Sequence, residues 1–204
     1  MNRVSGPLPQ EQAVDLGCGT GSYTFSLRQQ GLSVMGVDIS ERMLDVARRK
    51  SSGDIVFVQS DLRRLPFASE QFDLAICNVV LEFVSDPGAV LSEAYRIVKP
   101  GGRLIVGLIA KHGPWAKQYA RRGQQETASV YHHARFYSYN DIQHMGPNFP
   151  GDVQYGLYVS ADEFQDQESA WVLEHERRAS QREFGAGFMV ARWNKPKSAP
   201  YQTR

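Results

Sequence analysis

The stretch Ala13-Val14-Asp15-Leu16-Gly17-Cys18-Gly19-Thr20-Gly21 constrains this chain more than any other. Ala13 to Leu16 is an apolar run broken by one acid, the pattern of a buried parallel strand reaching its end. Gly17, Gly19 and Gly21 then make a tight turn, and Ser22 to Gln30 has helical character. A turn stripped of Cβ atoms lets backbone N–H groups approach a bulky ligand closely. A second strand, Leu32 to Asp38, follows and ends in a carboxylate. In a nucleotide-binding α/β unit such an acid lies beside the first loop and accepts ribose hydroxyls.

Glycine spacing narrows the ligand. A dinucleotide turn reads G-x-G-x-x-G, with its last glycine leaving room for a pyrophosphate at the helix N-terminus. Here the order is G-x-G-x-G, and Ser22 stands where that glycine would be. Asp15 adds negative charge where phosphates would lie, whereas a ligand carrying an ammonium would be attracted to it. A nucleoside joined to an amino acid, without phosphate, suits these residues better than NAD does. An NAD-linked oxidoreductase with Asp38 on the ribose stays open as a rival.

Val14 to Gly21 resembles motif I of the class I S-adenosylmethionine-dependent methyltransferases, and Gly36-Val37-Asp38-Ile39-Ser40-Glu41-Arg42-Met43-Leu44 resembles their second motif. Gln59-Ser60-Asp61-Leu62-Arg63-Arg64-Leu65-Pro66-Phe67, followed by Phe72-Asp73-Leu74, is similar to the family's "D-x-x-x-L-P-F … F-D" segment. Lys99-Pro100-Gly101-Gly102-Arg103-Leu104 resembles the turn entering its fifth strand. These motifs stand in the family's order between Ala13 and Leu108, in the manner of its type 11, small-molecule branch. The resemblance implies S-adenosyl-L-methionine as cofactor, S-adenosyl-L-homocysteine as product and a small-molecule methyl acceptor. It also implies the cofactor-binding set. Asp15, Gly17, Cys18, Gly19, Thr20 and Gly21 form the turn, with Asp15 holding the methionyl ammonium. Asp38 takes the ribose diol, and Ile39 and Met43 flank the adenine unless they are helix core. Ser60, Asp61 and Leu62 meet the adenine edge, Asp61 accepting from its amino group unless it merely caps a loop. Asn78 and Val79 contact the methionine moiety.

Alternation of short strands and helices through Ile55–Val58, Phe72–Cys77, Pro87–Val98 and Arg103–Leu108 implies a parallel sheet with right-handed crossovers. With Gln154–Val159 as a sixth strand and Gly187–Trp193 as a last, the expectation is a doubly wound, Rossmann-like mixed sheet of seven strands. The resemblance makes that last strand antiparallel, between the fifth and sixth. Helices are expected at Glu41–Lys50, with Ser40 as N-cap, at Tyr139–Met145 and at Glu168–Arg182. At 204 residues one domain is the default, with a short polar lead over residues 1–12 and a loose tail over 195–204.

Residues 109–138 break the rhythm. Trp115, Tyr119, Tyr131, His132, His133, Phe136 and Tyr137 lie in a long connection after a sheet strand, which suggests a cover over a ligand crevice. The aromatics either shape an apolar acceptor pocket or form the underside of a lid packed on the core. Methyl transfer from a sulfonium asks mainly for alignment and a deprotonated nucleophile. Candidate catalytic bases are His133 and His132, followed by Tyr131 and Glu82, an imidazole being suited to removing a proton near neutral pH. Related enzymes often show "L-E-H-V" or "L-H-H-V" where this chain has Leu81-Glu82-Phe83-Val84, so the histidine's role does not transfer to Phe83. That departure keeps a second rival alive, a catalytically silent cofactor-binding protein acting through a partner.

Net charge of +1 gives no electrostatic case for nucleic acid or an anionic membrane as partner. The two cysteines, Cys18 and Cys77, lack the spacing of a disulfide scaffold or metal site, and no metal is expected. No apolar stretch approaches a membrane span and no signal-peptide core opens the chain. The expectation is a cytoplasmic enzyme, monomeric or homodimeric.

Overall fold

The apolar runs become seven strands: β1 (Gln12–Leu16), β2 (Ser33–Asp38), β3 (Val56–Gln59), β4 (Phe72–Asn78), β5 (Val98–Ile109), β6 (Asp152–Gly156) and β7 (Phe188–Asn194). The structure is a computed structural model and describes residues 6–126, 129–147, 151–180 and 182–197. The strands form one sheet in the order β3-β2-β1-β4-β5-β7-β6. Pairing is parallel from β3 through β5, and β7 runs antiparallel to both β5 and β6. This is the expected seven-stranded, Rossmann-like mixed sheet with its last strand reversed.

Period-two alternation builds a core on each face. Ala13, Leu74, Ile76, Ile105 and Val190 pack one way, with Leu27 of α1 (Ser22–Gln29). Val14, Leu16, Ala75, Cys77, Leu104, Val106 and Ala191 face the other, with Val90, Leu91 and Ala94 of α3 (Pro87–Arg96). Trp193, fully buried opposite Leu104, is the largest side chain of that core. The remaining helices are α2 (Glu41–Lys50), α4 (Pro114–Gln125), α5 (Tyr139–Met145), α6 (Gln167–Ser180) and the single turn α7 (Arg182–Gly185).

Helix starts follow capping chemistry. The Ser40 side chain accepts from the Met43 N–H at α2 (3.4 Å), and Asp86 accepts from the Ala89 N–H (3.0 Å) before Pro87 at α3. Ser138 and Asp141 form a reciprocal capping box at α5. In α2, Glu41 sits in the first turn and Arg48, Arg49 and Lys50 in the last, each complementing the helix dipole.

Several boundaries differ from the sequence reading. Helix α3 stops at Arg96 rather than Val98, and β5 begins at Val98, pairing with Phe72 across an irregularity before the glycine turn. Strand β6 lies at Asp152–Gly156 instead of Gln154–Val159. Leu157 enters the left-handed region (φ 58°), and the N–H groups of Leu157 and Tyr158 go to the Glu174 carboxylate of α6 at 2.8 and 2.6 Å. Of the tail expected to be loose, Lys195 is fixed: its N–H reaches the Gly102 carbonyl (2.9 Å) and its ammonium the Val98 carbonyl (2.8 Å). Residues 198–204 of that tail, and residues 1–5 of the lead, lie outside the described residues.

Candidate active site

Register places the chemistry. Leu16 pairs with Val37 on one side and Cys77 on the other, so Gly17, Asp38 and Asn78 leave the sheet along one edge. The chain winds outward from β1 through β3 and returns to β4 on the other side. That reversal opens a crevice at the carboxyl ends of β1 and β4. A cleft of about 610 Å³ lies there. Its walls are Gly17, Gly19, Asp38, Ile39, Met43, Asp61, Leu62, Val79, Val80, Phe83, Val84, Val130 and His133.

The glycine turn is tied to β2. The N–H groups of Gly17 and Cys18 both reach the Val37 carbonyl, at 2.7 and 3.0 Å. Gly17 has φ 74°, and a Cβ there would overlap the Val80 methyls, so the position needs glycine for both backbone and space. Asp38 closes the loop with its carboxylate. One oxygen accepts from the Gly19 N–H (2.8 Å) and the other from the Ser40 N–H (2.9 Å). A carboxylate offers about four lone-pair sites, so acceptor capacity remains for two hydroxyls.

Two further carboxylates border this turn. Asp15 is buried beneath it and accepts from the Thr24 hydroxyl (2.6 Å). Burial raises its pKa to about 6 against the opposing Thr24 bond, and the charge of Asp38 adds to the rise. Asp61 is held by Arg63, whose guanidinium lies 2.6 Å away and pulls the acid down to about 2. The cradle fits a nucleoside bearing a positive group. A pyrophosphate would meet the Asp38 and Asp61 carboxylates, with the neighbouring Arg63 guanidinium already engaged.

Beyond Asn78 the backbone is strained. Val79 adopts φ 55°, a conformation that costs a β-branched residue about 1–3 kcal/mol. Its N–H still pairs with the Gly107 carbonyl of β5 (2.8 Å), and Val80 is thereby thrown across Gly17. Next comes the short 3₁₀ turn Leu81–Phe83. Glu82 within it is 1% exposed. One of its carboxyl oxygens accepts from the Ile109 N–H (2.7 Å), while the other has no partner. Burial pushes Glu82 up to about 7.

A family model for a methyltransferase domain matches residues 14–106. Over 106 residues the chain is 38% identical to the demethylmenaquinone methyltransferase of Clavibacter sepedonicus, covering 51% of this chain and 43% of that protein. It is 33% identical over 102 residues to the malonyl-[acyl-carrier protein] O-methyltransferase of Serratia marcescens, covering 50% and 40%. An S-adenosylmethionine-dependent methyltransferase from Thermotoga maritima, known as a crystal structure, superposes with a TM-score of 0.71 at 28% identity, covering 92% of this chain and 84% of that one. The methyltransferase-domain match and the likeness to this structural neighbour support a class I S-adenosylmethionine-dependent methyltransferase. The chain spans under half the length of the two sequence relatives, and the family model's match runs from β1 into β5.

The cleft gathers Gly17, Gly19, Asp38, Ile39, Met43, Asp61, Leu62, Val79 and His133 from the residues singled out by sequence. Ile39 is 65% exposed and Met43 47%, which is not the burial of helix core. Others lie off the wall. The Cys18 side chain packs with Leu44, Ala47, Ile55 and Phe57, so the turn faces the cleft there with backbone alone. Thr20 and Gly21 lead into α1 and do not line the cleft. The Ser60 hydroxyl donates to backbone carbonyls of its own loop. Asn78 has a buried side-chain oxygen without a partner. His132 turns away, its Nδ1 3.0 Å from the Gly123 carbonyl, whereas His133 lines the cleft.

Of the other base candidates, the Tyr131 ring stacks on Tyr119 at 4.3 Å and burial raises its hydroxyl pKa, while Glu82 is sealed off. The aromatic expectation divides. Phe83 faces the cleft with the Tyr131 ring 5.8 Å behind it, and Tyr119 then Trp115 stand behind Tyr131. Tyr137 belongs to the core, its hydroxyl directed at the Leu81 carbonyl (3.4 Å). Val80, Phe83, Val84 and Val130 were not predicted as wall residues. Among the described residues, no helix is long and apolar enough to cross a membrane.

Proposed function

We propose that this protein transfers the S-adenosylmethionine methyl group to a small-molecule acceptor and releases S-adenosylhomocysteine. The observation that carries the reading is Asp38: at the mouth of a glycine turn it grips the turn through Gly19 and still presents acceptor oxygens to the cleft. When bound, the cofactor supplies a methyl group already activated by a sulfonium. Asp38 would hold the ribose diol, and Ile39 and Met43 the faces of the adenine. Asp61, Leu62 and Ser60 would meet the base edge, the two side chains and the Leu62 N–H sharing that loop. Gly17 to Gly21, with Cys18 and Thr20 acting through backbone, would enclose the methionine end near Asn78 and Val79. Asp15 would stabilise the turn and the ammonium by its charge.

His133 is the base in this reading, taking the acceptor's proton. Residues 109–138 act as the cover, anchored by the Arg135 N–H on the Glu82 carbonyl (2.8 Å) and by Tyr131 against Phe83. We read the chain as one domain, working in the cytoplasm as a monomer or homodimer without nucleic acid.

Calorimetry with S-adenosylhomocysteine tests the cofactor, and transfer of labelled methyl into candidate metabolites tests the reaction. Tighter binding of NADH than of S-adenosylhomocysteine would overturn the reading. One observation favours a second reading, a silent cofactor-binding protein: Phe83 stands where related enzymes carry a histidine. Tight cofactor binding with no turnover across a broad acceptor panel would support it.

A further inference from the structure

With the glycine turn and the Asp38 side of the cleft given to the cofactor, the acceptor's wall is Val80, Phe83, Val84, Val130 and His133. Four of these five side chains are apolar and the fifth is an imidazole. Phe83 is 43% exposed and Val130 70%, so large apolar surface faces open space here rather than core. Tyr131, tilted 51° to Phe83, backs that ring and fixes the wall's aromatic character.

Charge completes the case. Among the described residues, no Lys or Arg lines the cleft. The guanidinium beside it, Arg63, is spent on both oxygens of Asp61 (2.6–3.1 Å) and on the Ser85 hydroxyl (3.1 Å). A carboxylate or phosphate on the acceptor would therefore give up part of its water against this wall without gaining a lysine or arginine partner. A protonated amine fares no better, because the wall carries no carboxylate: Glu82, next to Phe83, directs its paired oxygen at the Ile109 N–H and is sealed from the cleft.

Resting on the methyltransferase reading, we propose that the acceptor is an uncharged aromatic compound, its ring lying on Phe83 and its reacting group beside His133. The acceptor wall thereby rejects charged analogues of the same shape.

The test uses the whole chain saturated with S-adenosylhomocysteine, whose affinity is first measured alone by calorimetry. Three probes of one shape follow: 2-naphthol, 6-hydroxy-2-naphthoate and 2-naphthylmethylammonium, titrated by ligand-observed NMR. The expected result is saturable binding of 2-naphthol, with each charged probe at least tenfold weaker. Phe83→Ala should weaken 2-naphthol at least tenfold, and Phe83→Leu, which keeps an apolar side chain but no ring, should weaken it severalfold. Neither should alter affinity for S-adenosylhomocysteine. Equal or tighter binding of a charged probe overturns the proposal while leaving the cofactor reading intact. So does 2-naphthol binding that ignores both Phe83 variants, which would place the probe elsewhere, for instance in the apolar groove around Trp171 and Phe164. Failure of S-adenosylhomocysteine itself to bind overturns the parent reading, and the acceptor class with it.

Discussion

Glu82→Gln separates the proton from the shape of a buried carboxyl group. The wild-type side chain is 1% exposed, with one oxygen on the Ile109 N–H and the other unpartnered, so its charged form is disfavoured. Burial moves its pKa from 4.5 to about 7. A raised carboxyl pKa means that the folded state holds the proton more tightly than the unfolded chain. That contribution is complete below pH 4.5 and disappears as pH climbs through 7. Each pKa unit corresponds to about 1.4 kcal/mol, so wild-type stability should fall by about 2.5 kcal/mol from this group between pH 5 and 8.5. Glutamine keeps the bond to Ile109 and cannot ionise. Asp15, also raised by burial, contributes a slope of the same sign to both proteins and cancels in their difference. Urea unfolding at half-unit steps from pH 5 to 8.5 reads the result. The variant should gain on wild type steadily, by about 2.5 kcal/mol over the range. Parallel curves would show that Glu82 is not buried as a neutral acid, and the reasoning would fail.

Asp38→Ala should weaken S-adenosylhomocysteine binding at least tenfold by calorimetry, losing an acceptor for two hydroxyls worth about 2–3 kcal/mol. It should also lower the apo melting temperature, because the same carboxylate ties down the Gly19 and Ser40 N–H groups. His133→Ala should reduce kcat far more than cofactor affinity, whereas His132→Ala, whose ring is tethered to Gly123, should cost much less turnover. Gly17→Ala should destabilise by about 1–3 kcal/mol in denaturant unfolding, through its positive φ and the collision with Val80. Val80→Ala in the same chain should recover part of that loss, and additive effects in the double-mutant cycle would show that the two residues do not meet.

What the sequence made legible is what local patterning determines. The strand–turn–strand unit from Ala13 to Asp38 was readable because alternation, glycine position and the terminal acid each bear on the same few residues. The capped starts of α2 and α3 follow from side chains only a few positions away. Features resting on distant partners were not readable. Strand β6 ends early because Glu174, a helix away, captures the Leu157 and Tyr158 N–H groups. Lys195 is fixed by carbonyls near Val98, far from it in sequence. Cys18 sits within the glycine turn, yet its side chain follows the packing between α2 and β3. The shared wall of Phe83 and Val130 was hidden for the same reason: the two line one cleft although they lie far apart in sequence.

Several local costs meet at the carboxyl end of β4. Val79 holds a backbone conformation unfavourable to its type, Asn78 and Glu82 each keep a buried oxygen without a partner, and Val80 permits only glycine opposite it. A segment selected for stability alone would relax the backbone with glycine or asparagine and fill the site with apolar side chains. Their common location is informative, because local rules tend to be broken where a site demands a particular shape. Val79's turn lays Val80 across the glycine loop, and the 3₁₀ turn after it presents Phe83 outward while sinking Glu82 beneath. One strained residue thus separates the glycine turn from the apolar wall of Val80, Phe83 and Val84 and orients both.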